Sequence, residues 1–191
     1  MADKIGVVGA GVMGRGLAQA LAQGGFDVLL VDLTTDILDE ARRSIGYAVK
    51  SAALFDPELR NGHDGILARI TATTEYAALA RVDFVIENTT RTGRSRKRFI
   101  AIWGVVAVRD VSLQRIPRRY RSRGLLRPHR TRRVIGMHFM NPVSMKPLVE
   151  VIPSTATSED TIAAACALVR AARQAGDPRR RQSPGSSPTA C

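Results

Sequence analysis

Near the start of the chain, three glycines have the spacing of a phosphate-binding turn. The six residues concerned are Gly9-Ala10-Gly11-Val12-Met13-Gly14, which form the pattern G-x-G-x-x-G. In this pattern the first glycine permits a tight turn, the second lets the backbone approach a pyrophosphate, and the third lets a helix pack closely on a strand. Free N–H groups at the start of that helix stabilise the negative charge. We therefore predict that all six residues bind the diphosphate of a dinucleotide.

A carboxylate follows the glycine pattern at the distance that a ribose-binding residue requires. Asp32 lies 18 residues after Gly14, at the end of an apolar run that reads as a second strand. A carboxylate there accepts hydrogen bonds from the adenosine ribose hydroxyls and repels a 2′-phosphate. Asp32 therefore predicts NAD, rather than NADP, as the cofactor. The two cysteines, Cys166 and Cys191, show no motif spacing, and we expect no metal site.

A histidine and a glutamate in the second half of the chain have residue types suited to proton transfer. His138 lies near the end of one apolar run and Glu150 lies within the next. Transfer of a hydride from an alcohol needs a base for the hydroxyl proton, and a histidine oriented by a carboxylate suits that role near neutral pH. The residues alone leave two other interpretations open. His138 could pack in a core, and Glu150 could pair with Lys146.

Strands and helices alternate in the residues that would position these groups. Ile5 to Val8 and Asp27 to Val31 read as strands that flank a helix from Val12 to Gln23, which is one βαβ unit. Further strands are predicted at 69–73, 82–86, 134–139 and 148–152, with helices over 75–80, over 158–172 and after a cap at Thr34 or Thr35. In the helix after this cap, the apolar positions Ile37, Leu38, Ala41, Ile45 and Ala48 fall at helical spacing. This alternation predicts an α/β fold with a doubly wound, Rossmann-type parallel sheet.

Positive charge is concentrated in two stretches of the chain. The formal net charge is +12, but residues 91–133 contain 15 Lys or Arg and one acidic residue, and residues 170–191 contain 5 and one. Arginines in 91–133 fall on every face that a helix or strand could present, so no element is predicted there. We interpret 1–170 as one domain with an anomalous arginine-rich stretch at 91–133, and 171–191 as a disordered or out-of-frame tail.

Four further groups of residues, together with the glycine pattern, carry a resemblance to a known family. They are Val31-Asp32, Val85-Ile86-Glu87-Asn88, His138-Phe139-Met140-Asn141-Pro142 and Leu148-Val149-Glu150-Val151. In residues and in spacing the chain resembles the 3-hydroxyacyl-CoA dehydrogenases, over residues 3–90 and 134–170. The resemblance implies NAD as the cofactor, an acyl-CoA substrate and oxidation of 3-hydroxyacyl-CoA to 3-oxoacyl-CoA. It also implies that His138 takes the 3-hydroxyl proton, that Glu150 holds His138, and that Asn141 lies against NAD.

The chain departs from the family pattern at three places. Arg91 stands where the family has a glutamate that contacts NAD, and residues 91–133 contain no Ser-Asn-x-Ser segment. The family's Asn-Asp-x-Pro-Gly-Phe motif and helical C-terminal domain are not found after residue 170; in the family that domain completes the substrate site and forms a homodimer. We hypothesise that residues 91–133 and roughly 173–191 are translated out of frame. We then expect a defective fragment that binds NAD weakly or not at all and shows no turnover.

Two other functions fit parts of the sequence. A dehydrogenase of the 3-hydroxyisobutyrate or 6-phosphogluconate type shares the glycine turn, but it uses a lysine base and lacks the His-Phe-x-Asn-Pro sequence. An arginine-rich nucleic-acid-binding protein would use residues 115–123, where aromatic residues for base stacking are few. No apolar run reaches the roughly 20 residues of a membrane span, and the N-terminus has no signal-peptide core. We expect a cytoplasmic protein that binds neither nucleic acid nor a membrane.

Overall fold

The described residues begin with the strand–helix–strand unit predicted from the glycine pattern. The structure is a computed structural model that describes residues 4–54, 64–88, 104–108, 132–143 and 149–174. β1 (Lys4–Val8) leads into α1 (Val12–Gln23), and β2 (Asp27–Val31) pairs with β1 in parallel. α2 (Thr35–Ala53) follows β2. The remaining elements are β3 (Ile70–Thr73), a 3-10 helix (Tyr76–Arg81), β4 (Phe84–Glu87), β5 (Gly104–Val108), β6 (Val134–Phe139), β7 (Val149–Ile152) and α3 (Glu159–Gln174).

Within the described ranges the strands form one seven-stranded sheet in the order β3-β2-β1-β4-β5-β6-β7. The first four strands of this order run parallel to one another. β5 runs antiparallel to β4 and to β6, and β7 runs antiparallel to β6. The predicted Rossmann-type α/β class is confirmed, and the sheet is mixed at one end rather than parallel throughout.

β5 lies inside the arginine-rich stretch 91–133, for which no strand is predicted. That expectation is wrong for residues 104–108. The run Gly104-Val105-Val106-Ala107-Val108 is uncharged and includes three β-branched valines, so a strand forms there without bringing a guanidinium group into the sheet. Apart from 132–133, the rest of the stretch lies outside the described residues. Of the predicted tail, residues 171–174 belong to α3 and residues 175–191 lie outside the described part.

Side chains of alternating strand residues fill the two faces of the sheet. On one face, Ile5 and Val7 pack in a cluster with residues of α1, α2 and α3. On the other face, Val8 packs with Leu79 of the 3-10 helix. A Cβ atom built on Gly6 would lie 2.5 Å from the Leu79 side chain, so the glycine lets this helix approach the sheet closely. Burial of apolar side chains on both faces stabilises the sheet that positions the predicted site residues.

Polar side chains define the starts of α2 and α3 as predicted. The Thr34 hydroxyl accepts a hydrogen bond from the Ile37 N–H, and the Ser158 hydroxyl accepts one from the Thr161 N–H. The buried residues of α2 are Leu38, Ala41, Ile45, Val49 and Ala53. Ile37 and Ala48, which share the helical spacing of the apolar positions, are exposed. No helix in the described part of the chain combines the length and apolar composition that a membrane crossing requires.

Candidate functional site

The glycine turn joins the carboxyl end of β1 to the start of α1. Gly9 has a φ of 96°, a left-handed conformation that favours glycine, and its N–H donates to the Val31 carbonyl at 2.8 Å. α1 begins after Gly11, which provides no side-chain cap, and its first turn contains no acidic residue. A Cβ atom built on Gly11 would have no neighbour within 4 Å. The start of α1 therefore combines N–H donors with open space, which fits the diphosphate of a dinucleotide.

The other residues of the turn differ in what they present to this space. Ala10 is fully buried and Met13 is 8% exposed, so the Met13 side chain belongs to the core and only its backbone can face a ligand. Val12 is exposed, and Gly14 lies against the backbone of Gly9. The Ala10 N–H is already used inside the protein, because it donates to Asp32. The Ala10 N–H therefore stabilises the turn and is not available to a ligand. The N–H groups of the residues that follow Ala10, at the start of α1, are the ones that can face it.

Asp32 ties the glycine turn to the end of β2. Its Oδ2 accepts from the Ala10 N–H at 2.6 Å and its Oδ1 accepts from the Leu33 N–H at 2.6 Å. Two backbone donors therefore fix the orientation of this carboxylate at the carboxyl edge of the sheet. Carboxylate oxygens have several lone-pair sites, so Asp32 retains the capacity to accept from ribose hydroxyls.

Asn88 is a site residue that the sequence identifies only as part of the family resemblance. Its Nδ2 donates to the carbonyl oxygens of Val8 and Gly9 at 2.9 and 3.2 Å, and its backbone N–H donates to Val8 at 3.0 Å. These bonds join the end of β4 to the end of β1 and to the first residue of the turn. The one local feature of the sequence that indicates this linking role of Asn88 is an amide side chain directly after a buried strand.

Tyr76 is a second residue near the site for which no role is predicted. Its ring packs against the cluster on the Leu79 face of the sheet. Burial raises the pKa of the Tyr76 hydroxyl, and the nearby charges of Asp32 and Glu87 raise this pKa further. The Tyr76 side chain therefore lies close enough to Asp32 and Glu87 to respond to their charges.

The structure brings His138 and Glu150 into direct contact. The two residues are paired across the antiparallel strands β6 and β7, and His138 Nδ1 lies 2.8 Å from Glu150 Oε2. Met137 and Phe139 are buried on the α1 and α3 side of the sheet, so His138 lies on the opposite face, where its side chain is 32% exposed. Of the two other interpretations, a core histidine does not agree with this exposure. Lys146, the other partner considered for Glu150, lies outside the described residues.

The strand register places this pair at the same edge of the sheet as the glycine turn. Val8 pairs with Glu87, Glu87 pairs with Val105, and Val105 pairs with Gly136. β6 runs in the same direction as β1 because two antiparallel pairings separate β4 from β6. His138 therefore lies two residues beyond the level of Val8, at the carboxyl edge where the glycine turn begins.

Asn141 lies in the turn that follows β6. The Asn141–Pro142 peptide bond is cis, and Asn141 is exposed. A Cβ atom built on Gly16 would lie 3.3 Å from the Val143 side chain, so this turn packs closely on α1. Asn141 is thereby held beside the helix whose start forms the glycine turn. Its contact with a cofactor stays a prediction.

Comparison with known proteins agrees with this geometry. Residues 4–110 and 121–176 match a family model described as "3-hydroxyacyl-CoA dehydrogenase, NAD binding domain". The chain is 35% identical over 167 residues to a protein of Deinococcus radiodurans named "Probable 3-hydroxybutyryl-CoA dehydrogenase", covering 83% of this chain and 57% of that protein. It is 33% identical over 162 residues to the 3-hydroxybutyryl-CoA dehydrogenase of Bradyrhizobium diazoefficiens, covering 84% of this chain and 55% of the relative.

The fold agrees with solved structures of the same kind. The (S)-3-hydroxybutyryl-CoA dehydrogenase PaaH1 from Ralstonia eutropha superposes with a TM-score of 0.67 at 25% identity, covering 90% of this chain and 61% of that one. The chain thus spans little more than half the length of the curated relatives it matches. A family match over most of the chain, with relatives at 35% and 33% identity, shows that it belongs to the 3-hydroxyacyl-CoA dehydrogenase family, of which it contains the NAD-binding domain.

Proposed function

We propose that this chain is the NAD-binding part of an enzyme that oxidises the 3-hydroxyl group of a 3-hydroxyacyl-CoA thioester. The observation that carries the proposal is the cross-strand pair His138–Glu150, at the same sheet edge as the glycine turn. A hydrogen-bonded imidazole and carboxylate beside a dinucleotide site provides a base for the proton that alcohol oxidation releases. The other dehydrogenases considered use a lysine base, and the family match favours the histidine type.

The glycine turn and Asp32 would hold the cofactor. The N–H groups at the start of α1 would bind its diphosphate, Gly9 and Gly14 would keep the turn tight, and Asp32 would accept from the adenosine ribose. When bound, NAD supplies the acceptor for the hydride. Asn141, held beside α1, would contact the cofactor from the β6 side.

His138 would take the proton of the substrate hydroxyl. The Glu150 carboxylate can only accept a hydrogen bond, so its contact with Nδ1 favours the tautomer in which Nδ1 carries the hydrogen. The lone pair of Nε2 is then available for the substrate proton. Glu150 also stabilises the imidazolium that forms after proton transfer. His138 is thus the proposed base and Glu150 the residue that positions it.

The substrate, assembly and compartment belong to the same proposal. Relatives are named 3-hydroxybutyryl-CoA dehydrogenase and fatty acid oxidation complex subunit alpha, which supports an acyl-CoA substrate and a role in fatty acid β-oxidation. Homodimerisation through the family's helical C-terminal domain stays a proposal drawn from the resemblance. The cytoplasmic location and the absence of nucleic acid and membrane partners stay predictions.

The arginine-rich stretch bears on whether this polypeptide is active. We propose that residues 91–133 and roughly 173–191 are translated out of frame, because 15 of the 29 Lys and Arg fall in 91–133 between segments that carry the family's residues. One observation counts against this proposal: the family match continues to residue 110 and resumes at 121. The nucleotide sequence together with peptide masses across 91–133 tests the proposal, since an undisturbed frame would end it.

Binding and turnover test the function separately. Titration of the 191-residue chain with NAD and with NADP should show weak binding that favours NAD. The chain itself should not turn over acetoacetyl-CoA with NADH. We define the full-length version as this sequence with 91–133 and 173–191 read in the family's frame and followed by the family's C-terminal domain. It should turn over acetoacetyl-CoA with NADH, and should lose this activity when His138→Ala is introduced. Equal activity of that version with and without His138 would overturn the proposed chemistry.

A further inference from the structure

Ala10 in the glycine turn is held at both ends by ionisable side chains of opposite charge. Its N–H donates to Asp32 Oδ2 at 2.6 Å. Its carbonyl oxygen accepts from Arg15 Nε at 3.2 Å. Ala10 is fully buried, so neither of its backbone polar groups depends on water for a partner. The peptide groups on both sides of Ala10 are thus fixed in orientation.

Arg15 is itself held by a residue of the next helix. Its NH1 lies 3.6 Å from Glu40 Oε1, and the Arg15 side chain is 27% exposed against 55% for Glu40. The second oxygen of Glu40 contacts Arg43 at 3.1 Å, one turn further along α2. Glu40 therefore links two arginines, of which Arg15 reaches the glycine turn and Arg43 does not.

The contact between Arg15 and Ala10 determines where the next N–H group points. The Ala10 carbonyl and the Gly11 N–H belong to one planar trans peptide, in which they point in opposite directions. Arg15 holds the carbonyl on the protein side, so the Gly11 N–H points away from Arg15. A Cβ atom built on Gly11 meets nothing within 4 Å, which shows that the space around this residue is open. The backbone N–H of Arg15 also donates to the Gly11 carbonyl at 3.0 Å and closes the first turn of α1.

We propose that Arg15 is a positioning residue that aims the Gly11 N–H, directly before α1, at the cofactor diphosphate, with Glu40 holding its guanidinium in place. This inference rests on the proposed function in that the ligand is NAD. Asp32 and Arg15 then act on the two peptide groups of one residue. Asp32 fixes the orientation of the peptide before Ala10, and Arg15 fixes that of the peptide after it. The guanidinium adds positive charge beside the same helix start, which favours an anion there.

The competing explanation is that Arg15 forms only a surface ion pair. Exposed ion pairs contribute little to stability, and the contact of Arg43 with Glu40 is of that kind. Arg43→Gln is therefore a matched control, because it removes an arginine from the same carboxylate without touching the turn. Arg15→Lys keeps the charge but not the Nε–H group, so it separates the hydrogen bond from the charge.

The experiment compares Arg15→Gln, Arg15→Lys, Glu40→Gln and Arg43→Gln in the 191-residue chain. We measure dissociation constants for NAD, ADP and adenosine, with thermal unfolding as the control for folding. Arg15→Gln should weaken NAD and ADP binding by about tenfold and leave adenosine binding unchanged, because only the first two carry the diphosphate. Glu40→Gln should show a smaller loss of the same pattern, and Arg43→Gln none. Equal effects of Arg15→Gln and Arg43→Gln, or an equal loss for adenosine, would overturn the proposal.

A second measurement does not depend on a bound cofactor. In the free protein, Arg15→Gln should change the amide resonance of Gly11, whereas Arg43→Gln should not. An unchanged Gly11 amide in Arg15→Gln would overturn the positioning role. Absence of NAD binding by the unsubstituted chain would agree with a defective fragment, and the amide measurement would still decide the role of Arg15.

Discussion

A Cβ atom built on Gly14 would lie 1.8 Å from the carbonyl oxygen of Gly9 and 2.9 Å from its carbonyl carbon. Both atoms belong to the backbone, so no side-chain rotation can relieve the overlap. The third glycine of the pattern is thus required by the approach of α1 to the turn, independently of any ligand. The same contact keeps the start of α1 close to the end of β1, where the diphosphate is predicted to bind.

Gly14→Ala should destabilise the protein and abolish NAD binding, because the first turn of α1 must move away from Gly9. Forced overpacking of this kind costs about 1 to 3 kcal/mol or more, and urea unfolding measures it. Gly46→Ala in α2 is the matched control, since a Cβ there meets only Leu67 at 3.8 Å. The control should be neutral or stabilising by up to about 1 kcal/mol. Comparable behaviour of the two variants would contradict the close approach.

Asp32→Asn should reduce the preference for NAD over NADP. The amide can still accept from one backbone N–H, but it has no charge to repel a 2′-phosphate and is a weaker acceptor for ribose hydroxyls. We expect the ratio of the two dissociation constants to fall by about tenfold, which corresponds to about 1.4 kcal/mol. Asp39→Asn, on the exposed side of α2, serves as the control and should leave the ratio unchanged. An unaltered ratio in Asp32→Asn would show that another residue sets the preference.

Glu150→Gln should lower kcat in the full-length version described above, by less than His138→Gln does. Loss of a positioned base costs about 10² to 10⁴ in rate, and loss of the residue that orients it should cost less. The double variant should resemble His138→Gln alone, because Glu150 is proposed to act through His138. Steady-state kinetics give both values. Full additivity of the two losses would mean that Glu150 acts independently of the histidine.

Tyr76 should contribute to the loss of stability in alkali. Its pKa is raised in the folded protein by burial and by the charges of Asp32 and Glu87. The unfolded tyrosine ionises at pH about 10, so the stabilisation is fully present below that pH and is lost as the pH rises through the folded value. Tyr76→Phe should therefore flatten the fall in unfolding free energy above pH about 10. Tyr47→Phe, at a ring that is 72% exposed, should leave the fall as it is in the unsubstituted chain.

Local sequence determined the first βαβ unit. The glycine spacing, the apolar runs of β1 and β2 and the position of Asp32 depend on residues close together in the chain, so the pattern predicts them directly. The start of α2 at Thr34 follows from capping chemistry in the same way. Its buried face followed only in part. Ile37 lies outside the buried stripe and is exposed, whereas Val49 lies in the middle of that stripe and is buried.

Only the tertiary structure decided how distant residues meet. Asn88 bonds to a carbonyl 80 residues away, and no local pattern specifies that partner. The direction of β5 depends on its pairing with β4 and β6, since an apolar run of five residues fits either orientation. His138 and Glu150 were both identified from sequence, but it is the register of β6 and β7 that places them opposite each other. A shift of one residue would turn the two side chains to opposite faces, so the proposed proton transfer depends on a pairing that only the folded sheet provides.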